Sequence, residues 1–482
     1  MRTFQNTLAF AIAISLAGCA TQPPVSTLAV GDRFFTDPKA SQGVTGEWWT
    51  RYADPELDTL MQKALTNNHD VKLATNRVME ARAGLDAAFT RLLPSLAINA
   101  SQSNQSTTLP DPFKQRGSPD VKATRLGGEL SWEIDLFGAT RASQRAFGQN
   151  ALASEAAVHG ARLLVSGEVA RQWFLLKSAK QQAILLDAAI QSLRQQRELV
   201  GLRKQMGLSS QFDLDRMDTE LNALIGQRPG LDALAASLQA RLAVLSGQSP
   251  LSGMSTVPAM TTIDWPTITA VSPGQPIELL ARRPDLIAAE HQLAAEGERL
   301  QEAKLNVLPK VFVNVLGGTQ NLLINGLTQN GIGFRQSAAL FTLPVFNAGR
   351  LSALQEAQSA RQQQFLLQYE KSVLQAMEEV EVSLVLHAGL RDAFESRTKA
   401  LVGSASSLTH GRQLRQHGQI DQIQLEMLTR AHLQTQQQHL NAQLETVLAD
   451  IQLHKALGGG WQAQAASRPL PALITAIGET TK

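Results

Sequence analysis

Nine histidines and one cysteine are the residues of this 482-residue sequence best suited to hold a metal or attack a substrate, and their spacing argues against both. No two histidines lie four apart. His410 with His417, and His432 with His439, are seven apart, too far along a helix to grip one ion by themselves. A lone cysteine excludes internal disulfides and any cysteine-based zinc site. Glu378, Glu379 and Glu381 form a dense acidic cluster, but on a long helix they read as a solvated or tunnel-facing patch rather than a catalytic pair. The chain contains no G-x-S-x-G elbow, P-loop, G-x-G-x-x-G or H-E-x-x-H. The expectation is a protein that is not an enzyme and needs no cofactor.

The cysteine itself stands in a different chemical setting. Arg2 supplies a positive start, Leu8 to Leu16 an apolar core, and Leu16-Ala17-Gly18-Cys19 a small-residue cleavage site ending in the only thiol. This reads as an export signal, and the tetrapeptide resembles a bacterial lipobox, in which the cysteine is acylated and becomes the first mature residue. Cleavage there leaves 482 − 18 = 464 residues. Ala20 follows, where an acidic residue would resemble an inner-membrane retention signal, so the expected destination is the outer membrane. Acyl chains contribute about 0.8 kcal/mol per buried CH₂, enough to hold a multiply acylated protein on lipid without a spanning helix. No apolar run reaches the roughly 20 residues a membrane-crossing helix needs. With 44 basic and 42 acidic side chains the net charge is +2, too small a field to suggest nucleic acid as a partner.

The elements that carry these residues come as a tandem duplication. Pro94 and Pro309 each close a helical pattern and open an alternating one, and Phe137 with Phe346, Gly207 with Gly418, and Leu245 with Leu457 recur at offsets of 209 to 215. Each half reads helix, strand, strand, long helix, turn, long helix. Leu186, Ile190, Leu193 and Val200 form one apolar stripe, interrupted at Arg197; Leu366, Tyr369, Val373, Met377, Val380 and Leu384 form its counterpart. One helix from about Ala139 to Met206 would be about 100 Å long at 1.5 Å per residue, which predicts an elongated, coiled-coil-like body. Gly207 and Gly418 read as helix stops, with Ser209 or Ser210, and Asp421, capping the next helices.

Strand alternation supplies the second clue. From Leu126 to Leu136 one face carries Leu126, Gly128, Leu130, Trp132, Ile134 and Leu136, the other Gly127, Glu129, Ser131, Glu133 and Asp135. Leu96, Ile98 and Ala100, then Val311, Val313 and Val315, then Ala339, Phe341 and Leu343 continue the apolar set. Strands of this length and alternation match outer-membrane barrels. Four strands cannot close a barrel, and an open edge in lipid costs several kcal/mol per unpaired group, so copies must pool strands. Two copies would make a barrel filled by side chains, whereas three would leave room for a channel, which favours three.

At this point the chain resembles the TolC-type outer-membrane efflux factor family, in its NodT-like lipoprotein branch. The resemblance rests on Trp48-Trp49 with Asp54-Pro55-Glu56-Leu57, Ala64-Leu65 with Asn67-Asn68, and the run Ser131 to Gly138. It continues through Arg282-Arg283-Pro284-Asp285-Leu286 with Ala289-Glu290, Leu343-Pro344-Val345-Phe346 with Gly349-Arg350, and Lys455 to Trp461. It implies a mainly α fold with a membrane β-barrel: a homotrimer whose 12-stranded barrel in outer-membrane lipid continues into an α-helical periplasmic tunnel. Its partners would be a periplasmic adaptor and an inner-membrane pump. The segments become a signal peptide (1–18), an N-terminal extended or equatorial segment (19–56), a first repeat (57–247), a linker (248–276), a second repeat (277–461) and a tail, equatorial or disordered (462–482). The family's adaptor-contacting tips carry over to Gly207, Leu208 and Ser209 and to Gly418, Gln419 and Ile420. Related members narrow the tunnel with aspartates at the sixth and ninth residues after the second glycine. Gln424 and Met427 stand there in this sequence, with Asp213 at the sixth place in the first half and Glu426 adjacent. These four are the candidate constriction, and a strongly cation-selective gate is not expected from them. His410, Arg412, Arg415 and His417 make the approach to the second tip basic: a solvated face, a docking surface for acidic adaptor residues, or a pH-sensitive brake. Two other readings remain open: a coiled-coil lipoprotein without a pore, and a periplasmic adaptor, against which two hairpins and barrel-like strands count.

Overall fold

The computed structural model describes residues 33–35, 46–106, 110, 120–253, 264–324 and 327–460; Cys19, the export signal and the tail 462–482 lie outside the described residues. Helices α1 (Pro55–Asn67) and α2 (His69–Thr90) lead to strands β1 (Ser95–Gln105) and β2 (Val121–Ile134), then to α3 (Ala139–Gln205) and α4 (Gln211–Leu245). After helical turns at Pro250–Gly253 and Glu278–Arg282 the order repeats as α5 (Pro284–Leu305), β3 (Lys310–Ile324), β4 (Leu327–Thr342), α6 (Arg350–Gln416) and α7 (Gln422–Ala456). Corresponding helices match in length: α2 and α5 have 22 residues, α3 and α6 have 67, α4 and α7 have 35. Among the described residues no helix is long and apolar enough to cross a membrane.

The chain divides into two compact units, and each draws on both halves of the sequence. One holds Arg77–Glu155 and Ala288–Glu370, the other Leu28–Asn76, Ala156–Ile287 and Lys371–Lys482, as far as the described residues reach.

The first unit contains an antiparallel sheet in the order β1-β2-β3-β4, so the two repeats meet at the β2–β3 pair. At its centre Gly127 faces Gly318 and Gly128 faces Gly317. A Cβ on Gly318 would run into the Leu126 carbonyl, so only glycine permits that approach. Strand β2 begins five residues earlier and ends two residues earlier than the alternation from Leu126 to Leu136 indicates. Asp135 is not a strand residue. Its carboxylate accepts from the Thr140 and Arg141 backbone N–H groups, satisfying free donors at the start of α3.

The second unit is built on helix packing around the Trp48–Tyr52 helical turn. Trp48, Trp49 and Tyr52 are buried against Leu57 and Leu60 of α1, Val169, Trp173 and Phe174 of α3, Leu242 of α4 and Ile451 of α7. Leu186, Ile190, Leu193 and Val200 are buried as their spacing predicts, and Arg197, at the gap, forms an ion pair with Asp218. In α6 the buried members are Leu366, Val373, Val380 and Leu384, whereas Tyr369 and Met377 are half-buried.

One buried carboxylate fastens the start of this unit. Asp54 caps α1 by accepting from the Glu56 and Leu57 N–H groups at 3.1 Å, while its second oxygen accepts from the Trp173 indole at 2.8 Å and Lys177 Nζ at 2.7 Å. Lys177 also donates to the Asp264 carbonyl at 2.9 Å. Burial would raise the Asp54 carboxyl, but the Lys177, Trp173 and Leu57 donors hold it below its usual range. Its contribution to stability is therefore present above the usual carboxylate value and lost as pH falls through the depressed one. Removing one partner of a buried pair leaves the other charge uncompensated. Lys177→Met is expected to destabilise the protein by about 3 kcal/mol, measured by denaturant unfolding.

Candidate functional site: hairpin tips and an open sheet

Both hairpin tips are built from one backbone device. At the end of α3 the Leu208 N–H bonds the Arg203 carbonyl at 2.8 Å and the Gly207 N–H bonds the Lys204 carbonyl at 2.9 Å; at the end of α6, Gln419 bonds Leu414 at 2.9 Å and Gly418 bonds Arg415 at 3.1 Å. This is the Schellman pattern, which needs a left-handed residue after the helix; Gly207 has φ +74° and Gly418 φ +69°. The next helix then starts on a reciprocal cap. Ser210, rather than Ser209, exchanges hydrogen bonds with Asp213, and Asp421 does the same with Gln424. The Asp213 carboxyl is held below its usual range by the Ser210 backbone N–H and hydroxyl.

The structure brings the two tips together: Arg203 reaches Asp421 at 3.4 Å across 218 residues of sequence. Gly207, Leu208, Gly418 and Gln419 are exposed, Ser209 and Ile420 half-buried. Met206 and Phe212 flank the first tip with about two-thirds or more of their surface in solvent (69% and 72%), giving it an apolar margin. His410, Arg412, Arg415 and His417 are all exposed beside the second tip.

The four constriction candidates separate in character. Asp213 and Gln424 are the third residues of their helices and serve the caps. Glu426 is buried, where its carboxylate accepts from the Ser192 hydroxyl and the Gln422 amide. Met427 is exposed. Of the acidic cluster on α6, Glu379 pairs with Arg283 at 2.8 Å and Glu381 accepts from the Phe35 N–H at 3.1 Å, so both tie segments together. No short-range pattern in the sequence signals those partners.

The sheet is the other functional surface. Strand β1 is exposed along its whole length and β4 almost so. Register places Leu96, Ile98 and Ala100 beside Leu130, Gly128 and Leu126, and Val311 and Val313 beside Phe341 and Ala339, so one face is continuously apolar in this part of the sheet. Leu96 and Ile98 leave 75% and 80% of their surface uncovered. The opposite face carries Asn99 bonded to Glu129 at 2.8 Å and Lys310 paired with Glu133 at 3.2 Å. Among the described residues each outer strand has one neighbour, leaving a row of unpaired backbone groups at both edges.

Comparison with known proteins places this geometry. The family described as outer membrane efflux protein matches residues 60–248 and 276–459. The pyoverdine export outer membrane protein OpmQ of Pseudomonas putida is 30% identical over 95% of this chain and 98% of its own length. The probable outer membrane lipoprotein SilC of Salmonella typhimurium is 26% identical over 92% of this chain and 96% of its own. The solved CmeC outer membrane channel of Campylobacter jejuni shares the fold, with a TM-score of 0.80 at 20% identity, covering 92% of this chain and 95% of that one.

The tip glycines give a direct test of the local geometry. A Cβ on Gly207 or Gly418 would meet open space, so alanine there should cost only the left-handed strain, about 1 kcal/mol each. At Gly247, also left-handed, a Cβ would meet the Asn67 carbonyl at 2.5 Å, so Gly247→Ala should cost clearly more in the same thermal unfolding series.

Proposed function

The chain belongs to the outer membrane efflux protein family, and from that membership we propose that it is a trimeric, lipid-anchored exit duct. It is an outer-membrane efflux channel component. In the proposed assembly three four-stranded sheets pool twelve strands into one barrel, apolar face to lipid and polar face to the lumen. The long hairpins form the periplasmic tunnel. A periplasmic adaptor meets the tips at Gly207, Leu208, Ser209, Gly418, Gln419 and Ile420, and an inner-membrane pump supplies the energy. Cys19 carries the acyl anchor. The duct makes and breaks no bonds and passes small molecules chosen mainly by the pump.

The observation that carries this reading is the sheet: one face apolar from Leu96 and Ile98 across to Phe341, the opposite face bearing Asn99, Glu129 and Glu133 among Phe312 and Leu316, and both edges open. A coiled-coil lipoprotein without a pore has no use for such a surface.

The constriction is assigned to the level of Asp213, Gln424 and Met427, with Glu426 behind it. Gln424 and Met427 carry no charge, so at that level only the Asp213 carboxylates, each engaged by the Ser210 cap, are left to attract cations. Single-channel recording in planar bilayers tests both statements. The purified protein is expected to conduct, with small, mostly closed events, and Gln424→Asp to shift the reversal potential toward cations. Aspartate at this position keeps the cap, as Asp213 does in the first hairpin. Absence of conductance, even after the tip residues near Gly207 and Gly418 are removed, contradicts the duct. An unchanged reversal potential moves the constriction elsewhere.

A further inference from the structure

A cluster of ionisable side chains lies buried in the second unit, on residues that neither hairpin tip includes. Asp450 and His454 of α7 and His387 of α6 are 5% exposed or less, as is Tyr52. Tyr52 donates to Asp450 Oδ2 at 2.7 Å, and His387 Nε2 lies 3.4 Å from Asp450 Oδ1. The Trp48 indole stacks on the His454 ring at 5.4 Å. Arg51, on the same helical turn as Trp48 and Tyr52, reaches in with one guanidinium nitrogen 2.7 Å from His454 Nε2. Its other terminal nitrogen holds Thr269 through the carbonyl at 3.1 Å and the hydroxyl at 2.8 Å. Arg51 is thus a bridge between α7 and the segment that joins the two repeats.

The partners of His454 define its protonation. Nδ1 lies 2.8 Å from the Asp450 backbone carbonyl, which only accepts, so Nδ1 carries the proton. Nε2 faces a guanidinium, which only donates, so Nε2 must be the lone-pair acceptor. The imidazole is neutral, and a second proton would have to enter at the one position Arg51 occupies. We infer that the Arg51–His454 contact is a clasp that acid opens, loosening the segment around Thr269, whose Val271 is buried in one apolar cluster with Leu453 and Ala456 of α7.

Protonating Nε2 removes the acceptor and sets two cations at hydrogen-bond distance in a buried site. The groups facing the imidazole are Arg51 and Tyr52 from the helical turn, His387 from α6 and Asp450 on α7 itself. Burial holds His454 below the ordinary histidine value, with Arg51 and His387 acting in the same direction and Asp450 opposing. A histidine lowered in the folded state contributes fully above its unfolded value of about 6.5, and that contribution is lost as pH falls below it. Asp450 stays ionised through this range: burial would raise it, but His387, His454, Arg51 and Tyr52 together lower it. Tyr52 engages only Oδ2 of Asp450, and Arg51 lies 3.9 Å from Oδ1, beyond hydrogen-bond distance in this arrangement. This device is independent of conductance, and an outer-membrane protein meets the acidity of its surroundings directly.

Hydroxyl-radical footprinting read by mass spectrometry on the full-length protein in detergent tests the clasp, at about pH 7.5 and about pH 5.5 and normalised for radical yield. In the unaltered protein the Trp265 and Val271 side chains, half-buried and buried, should lose protection by about tenfold at the lower pH, the equivalent of one charge-assisted hydrogen bond. His454→Gln keeps an acceptor without titrating, so its protection should be the same at both values. If that variant fails to assemble, Arg51→Gln serves: it removes the second cation, and protection should be lower throughout but insensitive to pH. Unchanged protection in the unaltered protein overturns the clasp. So does a full acid response that survives in either variant, or one that disappears in His387→Gln while persisting in His454→Gln.

Discussion

An unpaired backbone group in hydrocarbon costs several kcal/mol, and the four-stranded sheet presents a row of them on β1 and another on β4. That cost organises the proposed biology. A sheet with one apolar and one polar face is at home where lipid meets water, but only if its edges close. One chain cannot close them. The proposed trimer follows from this mismatch between what a single copy encodes and what a membrane tolerates.

Duplication explains how one chain supplies so many matching parts. Helices of 22, 67 and 35 residues occur in the same order in both halves, each long pair joined by a glycine stop and a reciprocal cap. The backbone of the two tips is therefore nearly equivalent. Their side chains have diverged: Met206, Leu208 and Phe212 make the first margin apolar, while Arg412 and Arg415 make the second basic. A partner engaging both meets the same geometry with two chemistries. The Trp48–Tyr52 turn, by contrast, has no counterpart among the described residues of the second half, and it is held by the contacts of Asp54 with Lys177 and Arg51 with His454.

The parts legible in the sequence were those with local periodicity. Apolar spacing in α3 marked Leu186, Ile190, Leu193 and Val200 as one buried stripe, and alternation placed the strands after Pro94 and Pro309. Strand ends were harder to read. Asp135 fits the period of β2 but caps α3 instead, because free N–H groups at a helix start compete for a nearby carboxylate. Long-range polar pairing left no trace at all. Lys177 lies 123 residues from Asp54, and Glu426, one of the four constriction candidates, turns inward to Ser192, 234 residues away. Asp450 and His454 are one helical turn apart in sequence, yet nothing near them announces Arg51.

The central claim is that this sheet closes only by pooling strands among three copies. The most direct test is the mass of the detergent-solubilised complex by native mass spectrometry. Three mature chains per complex is the predicted result. A stable monomer with its sheet intact, or a complex of two, would contradict the account, because neither supplies the strands for an open barrel.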